Sequence, residues 1–394
     1  MTTLYSLSED QLALRQAARR FAQNEMFPLS MEIERERREV PIDFLKKMGS
    51  LGFLGLDVPT EYGGQGFDTL TCAVIMEELS GGWFSGSSFA MALGMGPVLA
   101  GGTEKQKQEY LPRICKGEII PAFALTEPTG GSDAAAIKTF ARKDGGDYVL
   151  KGNKIFITNA HRADILVVFA KTNNEAVRGQ GISAFLVPKG TKGFSIGQKF
   201  RALAHHANPI CEVVFDDCRI PAANLIGQEG KGFSYVHATF AKFRAVYGSR
   251  CVGVAQAAMD YALRYANERE QFGQTIASYQ GNRFKIADVM TKIEAARHLS
   301  YRASAIVDQG VDSDNARVAA SMAKHFGSNV CMEATSEAIQ IMGGHGYIAD
   351  HPLERLYREA KLFQIGDGTS EVLRLLISRY TNKCATSGEP ARLP

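Results

Sequence analysis

Charge of neither sign dominates the 394-residue sequence: 45 Lys and Arg face 42 Asp and Glu, a formal net charge of +3. No basic block or aromatic-studded basic stripe occurs, which argues against a nucleic-acid partner. No run of roughly 18 apolar residues is present to span a membrane. The opening MTTLYSLSEDQ lacks the basic-then-apolar signature of a secretory leader. Seven cysteines (Cys72, Cys115, Cys211, Cys218, Cys251, Cys331 and Cys384) form no C-x-x-C pair and no dense framework. That usage fits small buried thiols in a reduced intracellular protein, so a soluble cytoplasmic setting is expected. No internal repeat breaks the chain into arrays.

What is present falls into an α, then β, then α order. Residues 1–118 read as a helical domain. Ser8-Glu9-Asp10-Gln11 is a capping-box pattern, and helical patterns follow at Ile42–Leu51, Leu70–Leu79 and 104–114. Residues 119–232 carry short β-branched runs at Tyr148–Leu150, Lys154–Thr158, Asp164–Ala170, Ile182–Val187 and Cys211–Phe215. They predict a compact β-barrel or sandwich, with a hairpin turn at Gly152-Asn153. Residues 233–382 return to helix and predict a bundle, followed by a tail over 383–394. One face is kept by Ala255, Ala258, Met259, Ala262 and Ala266, another by Ile286, Val289, Met290, Ile293 and Ala296.

Three tempting signatures fail on context. Gly193-Phe-Ser-Ile-Gly197 has the G-x-S-x-G spacing of a nucleophile elbow but lies among strands. Gly344-His-Gly-Tyr-Ile-Ala349 follows a helix, where a dinucleotide fingerprint would follow a strand. His205-His206 has no third ligand at helical or hairpin spacing, so it reads as a polar loop pair with no metal. Two other stretches stay open on residues alone. Asp367, between Gly366 and Gly368, is either a general base on a tight turn or a turn aspartate. Thr369 and Ser370 after it can cap the apolar helix that follows. Ala122-Phe-Ala-Leu-Thr-Glu-Pro-Thr-Gly-Gly-Ser-Asp-Ala134 is either a plain loop or a hydroxyl-rich wall for a flat polar cofactor.

Taken together and in order, five segments resemble the acyl-CoA dehydrogenase family. They are Phe123–Asp133, Gly152–Ala160 (with Phe156 where a Trp is usual), Glu268–Gly273 with Gln280, Gln340–Tyr347, and Gly366–Glu371. The resemblance covers residues 5–382. It implies an α+β fold: an N-terminal helical domain, a middle β domain and a C-terminal four-helix bundle, assembled as a homotetramer around FAD. Carried over by position, Phe123, Leu125, Thr126, Gly131, Ser132, Phe156, Ile157 and Thr158 line the flavin. Arg269, Phe272 and Gln280 reach it across a subunit interface, and Gln340, Gly343, Gly344, Thr369 and Glu371 complete its site. Ser132, Arg244 and Gly368 are the implied substrate ligands, and Asp367 is the implied base.

The implied reaction is α,β-dehydrogenation of an acyl-CoA, with reduced flavin reoxidised by an electron-transfer flavoprotein. A flavin hydroxyl and the Asp367 backbone N–H would polarise the thioester carbonyl. Departures shape the substrate expectation. The usual base is Glu, and Asp is shorter by one methylene, about 1.5 Å. The alternative base position, just before Arg244, holds Phe243, and Ala241 replaces a common Asp. Relatives acting on ring-bearing substrates such as cyclohexanecarboxyl-CoA carry Asp, as do nitroalkane oxidases of the superfamily. A cyclic or bulky acyl group is therefore the expectation, with a short or branched chain as the alternative. Nitroalkane oxidation and a non-catalytic flavoprotein scaffold stand behind those. Phe84–Pro97, which resembles the acyl-pocket wall, contains no Lys or Arg, so dicarboxyl substrates are disfavoured. Met91, Leu93 and Met95 on it suit either an adaptable pocket or a buried helix face.

Overall fold

The computed structural model describes residues 7–310, 313–388, 390, 391 and 393. Its N-terminal helices obey their local signals. Helix α1 (Glu9–Phe21) opens on the expected capping box between Ser8 and Gln11. Helices α2 (Phe27–Glu36), α3 (Ile42–Ser50) and α4 (Thr69–Gly82) follow, then the short α5 (Phe84–Ser87), α6 (Met95–Gly101) and α7 (Glu104–Cys115). Thr103 and Gln106 build a second capping box ahead of α7. Helix α4 is buried nearly all round because α1 covers one side while α8 (Gly232–Glu268) and α9 (Gln280–Gln309) cover the other. Its crossing with α8 is backbone to backbone: a Cβ on Gly253 would lie 1.9 Å from the Glu77 carbonyl. Buried Glu77 also accepts from Arg297 and Tyr301, each at 2.9 Å, which ties α4 to α9.

The middle domain is one eight-stranded sheet. Its strands are β1 (Pro121–Ala124), β2 (Phe140–Asp144), β3 (Asp147–Thr158), β4 (Ile165–Lys171), β5 (Ile182–Pro188), β6 (Phe194–Lys199), β7 (Ile210–Pro221) and β8 (Leu225–Ile226). They run β6-β7-β3-β2-β4-β5-β8, with β1 parallel to β4. The expected hairpin at Gly152-Asn153 is absent. Strand β3 runs straight through it, and the β2–β3 turn lies at Gly145 and Gly146. Gly152 instead stands at a register shift against β7, with φ 142° and no room for a Cβ beside Thr139. A glycine inside a strand marked a bulge, not a turn. The unbroken apolar run of β4 is explained by burial on both faces. Leu166, Val168 and Ala170 face the sheet interior, whereas Ile165, Val167 and Phe169 pack with Met95, Val98 and Val236 toward the helices.

After the small hairpin β9 (Glu270–Gln271) and β10 (Gln274–Thr275), helices α8 and α9 pack with α10 (Asp314–Met342). Short α11 (Gly344–Tyr347) leads to α12 (Leu353–Ile365) and α13 (Ser370–Ser387), both packed on α10. Helix α13 continues through Ser387, into the segment expected to be a tail. Surplus alanine closes the bundle, with Ala255, Ala258, Ala296, Ala334 and Ala338 fully buried in one cluster. The seven cysteines are all buried and unpaired. Among the described residues, no helix is long and apolar enough to cross a membrane.

Candidate active site

The turn between α12 and α13 carries Asp367 at φ 55°, left-handed for a residue with a Cβ, and Gly368 at φ 107°. Aspartate tolerates that region better than most residues, and only glycine fits the second position. Two cations hold the turn in place. Lys324, fully buried on α10, donates from Nζ to the carbonyls of Gly366 and Gly368, each at 2.6 Å. Arg244 on α8 donates from Nε to the carbonyl between them, that of Asp367, at 2.8 Å. Three successive carbonyls are thus fixed by side chains from two bundle helices. Thr369 caps α13 by accepting from Val372 N–H at 3.3 Å, as its position before an apolar run suggested.

Burial pushes the Asp367 carboxyl above its ordinary range, against the pull of Lys324, Arg250 and Arg244. Burial likewise pushes Lys324 down to about 8. The carboxylate is therefore a stronger proton acceptor than a surface aspartate while three cations keep its ionised form accessible. Its backbone N–H has no acceptor among the described residues and remains available to a ligand oxygen.

The wall segment is joined to this turn through aromatic contacts. The Phe123 ring lies 5.0 Å from Phe169 and 5.8 Å from Phe240, and Arg244 stacks over Phe240 at 4.8 Å. The next residues are fixed by a buried ion pair. Lys154 donates to Glu127 at 2.8 Å and to the Leu125 carbonyl at 3.0 Å, and Glu127 also accepts from Thr139 N–H at 2.9 Å. This pair staples the segment 123–132 to β3.

Exposure divides the implied cofactor residues. Gly131, Ser132, Phe156, Thr158, Arg269, Phe272, Gln280, Gln340, Gly343, Gly344 and Glu371 are exposed. Phe123, Thr126 and Thr369 are partly so, while Leu125 and Ile157 are buried in two core clusters and have only backbone to offer. Among the described residues, the hydroxyls of Ser132 and Thr158 have no hydrogen-bond partner, and Phe156, 55% exposed, presents its ring from a φ of 58°. Exposed hydroxyls, an exposed aromatic ring and the exposed Arg269 guanidinium are group types that suit a flavin dinucleotide. Phe272 is 95% exposed at the tip of the β9–β10 hairpin.

Two expectations change. His205-His206 lies in a loop, but His205 is buried, with Ser85 Oγ at 2.8 Å from Nδ1, and burial pushes it down to about 3. Met91 and Met95 are buried in two different core clusters, but only Met95, at the start of α6, lies on a helix; Met91 sits in the turn before it, and Leu93 leans toward the bundle. Lys324, Arg250, Lys154 and Glu127 were not read as site residues. For Arg250 the signal was a lone charge on an otherwise apolar stretch, since it is the single charged residue in 245–259.

Three domain families match the chain in order: acyl-CoA dehydrogenase N-terminal domain over residues 8–118, middle domain over 122–218 and C-terminal domain over 230–381. An acyl-CoA dehydrogenase of Bacillus subtilis is 42% identical across 95% of this chain and 98% of its own. A short-chain specific acyl-CoA dehydrogenase of Clostridium acetobutylicum is 41% identical with the same coverage. Butyryl-CoA dehydrogenase from Megasphaera elsdenii superposes with a TM-score of 0.88 at 35% identity, covering 94% of this chain and 98% of that one. A chain from a structure of the electron transferring flavoprotein of Acidaminococcus fermentans gives a TM-score of 0.91 at 41% identity, covering 95% and 98%.

Proposed function

The chain belongs to the acyl-CoA dehydrogenase family, and from that premise we propose that it dehydrogenates a short acyl-CoA across the α,β bond, with Asp367 removing the α-proton. The observation that carries this is the 366–368 turn, whose carbonyls Lys324 and Arg244 hold while burial raises the Asp367 pKa. The relatives named for short-chain and butyryl substrates support a short acyl group over a cyclic one.

Asp367 approaches the α-carbon from a turn that cannot retreat without breaking three carbonyl contacts. Its own N–H, left without an acceptor among the described residues, would meet the thioester oxygen and favour the enolate-like charge that grows as the proton leaves. FAD, when bound, supplies the acceptor for the β-hydride. Ser132 and Thr158 would meet its ring edge through their hydroxyls, Phe156 would cover it, and Arg269 would meet a phosphate. Gln340, Gly343 and Gly344 would contribute from the end of α10. Electrons then pass to an electron-transfer flavoprotein.

A homotetramer accounts for the exposed Phe272, Phe284 and Tyr347, rings that a single chain leaves in water. Light scattering of the FAD-loaded protein should return four chains, and a monomer that retains full flavin would refute it.

Anaerobic mixing with butyryl-CoA should bleach the flavin. Asp367→Asn should keep the flavin and lose the bleaching; undiminished bleaching in that variant would sink the base assignment. The short Asp side chain favours a second reading, a ring-bearing acyl group that reaches toward the base. Cyclohexanecarboxyl-CoA bleaching faster than butyryl-CoA, with the order reversed in Asp367→Glu, would select it.

A further inference from the structure

Behind Asp367 the bundle buries a guanidinium whose hydrogen bonds go to neither the base nor its turn. Arg250 on α8 is 2% exposed. Its Nη2 donates to Ser88 Oγ at 2.8 Å and, at 3.4 Å, to the Phe84 carbonyl. Its Nε has no hydrogen-bond partner, and among the described residues no carboxylate lies within ion-pair distance of it. Rings stand around it: Phe84 at 4.4 Å, Tyr247 at 5.2 Å and Phe243 at 5.8 Å. Tyr247 continues the cluster to the turn, since a Cβ on Gly366 would lie 3.7 Å from its hydroxyl. Lys324 sits over the same ring at 5.3 Å.

This arrangement bears on one expectation. The segment Phe84–Pro97 lacks a cation of its own, but α8 brings one against its first residues, Phe84 and Ser88. A guanidinium stays charged under any ordinary burial, and its planar fork suits an oxyanion. The nearby aromatic faces offset part of the desolvation cost. The remaining compensation acts at a distance: the Asp367 carboxylate attracts Arg250 from beyond ion-pair contact, and burial pushes Glu359 up to about 7. A buried cation with an idle N–H, next to the base and on the expected acyl wall, has no anion in ion-pair contact among the described residues. An all-carbon acyl end placed there would leave it so.

We propose that Arg250 selects acyl-CoA substrates whose acyl chain carries a carboxylate at its far end, received by the idle side of the guanidinium. The inference rests on the dehydrogenase reading and deepens it. The discriminating set is three acyl-CoAs of equal chain length: one ending in a methyl group, one in a carboxylate and one in a primary amide. Anaerobic flavin reduction by each is compared in the FAD-loaded wild type, Arg250→Gln and Arg250→Lys. The carboxylate should be preferred over the methyl end by about tenfold or more in kcat/KM, as befits a charge-assisted hydrogen bond. That ratio should collapse in Arg250→Gln, chiefly through KM, and recover in part in Arg250→Lys.

Equal use of all three by the wild type, or a ratio unchanged in Arg250→Gln, overturns the assignment while leaving the dehydrogenase reading intact. An amide used as well as the carboxylate overturns selection by charge. Failure of every acyl-CoA to bleach the wild type overturns the dehydrogenase reading, and this inference with it. The wild-type ratio decides the matter even if a variant fails to fold.

Discussion

Replacing Lys324 with methionine separates what this buried amine does for stability from what it does for the reaction. Burial lowers its pKa from 10.5 to about 8, which corresponds to about 3 kcal/mol of desolvation cost that methionine would not carry. Against that, the carbonyls of Gly366 and Gly368 lose a donor at 2.6 Å, at about 1–3 kcal/mol each for a buried acceptor. The terms nearly offset, so Lys324→Met should lower stability by no more than about 3 kcal/mol. Catalysis has no such compensation. A turn that drifts by about 1 Å displaces the Asp367 carboxylate enough to slow the reaction roughly a hundredfold.

The pH behaviour follows with a definite sign. Lys324 is the first of the charges that lower the Asp367 pKa, so its removal raises that pKa further. Asp367 must be ionised to act, and the acidic limb of flavin reduction should therefore move to higher pH in the variant. In the wild type, between about pH 8 and 10.5 the unfolded chain holds a proton that folded Lys324 has released. Its burial cost accordingly fades as pH rises through that window, and methionine should abolish that part of the slope. Thermal melts at pH 7 and 9 and stopped-flow reduction across pH 5–9 measure both. A reduction rate within about threefold of wild type, with an unmoved acidic limb, would refute the role given to Lys324.

Two further outcomes rest on separate contacts. Lys154→Met should strand the buried Glu127 carboxylate and destabilise the protein by about 3–5 kcal/mol, read as a fall in melting temperature, with Lys154→Met/Glu127→Gln recovering most of it. No loss in the single variant would show that the pair does not staple the wall. Gly368→Ala imposes φ 107° on a residue with a Cβ and sets that carbon 2.9 Å from Arg244 Nη2. Flavin reduction should slow by about tenfold or more through the roughly 1–3 kcal/mol of backbone strain. A normal rate would mean the turn adapts freely.

What the sequence made legible was local. The capping box at Ser8, the N-cap at Thr369, the apolar periodicity of the bundle and the ordered segments around Asp367 all depend on residues close along the chain. Lys324 and Arg244 were harder because their partners are remote: 42 residues separate Lys324 from Gly366, and 123 separate Arg244 from Asp367. Arg250 was harder still, since its significance is a missing partner, which no motif encodes. The Gly152-Asn153 error has a different origin. Glycine's freedom serves a bulge as readily as a turn, and only the pairing of β3 with β7 distinguishes them.

The unpaired thiols supply an internal clock for how this molecule comes apart. Cys72 and Cys115 lie in the N-terminal helices, Cys211 and Cys218 in β7, Cys251 and Cys331 between α8 and α10, and Cys384 on α13. Each is shielded from reagent until its own neighbourhood opens, so the alkylation rate at each sulfur reports a local opening free energy. Peptide masses taken along a time course would then rank the helical, sheet and bundle regions by resistance, without any introduced label.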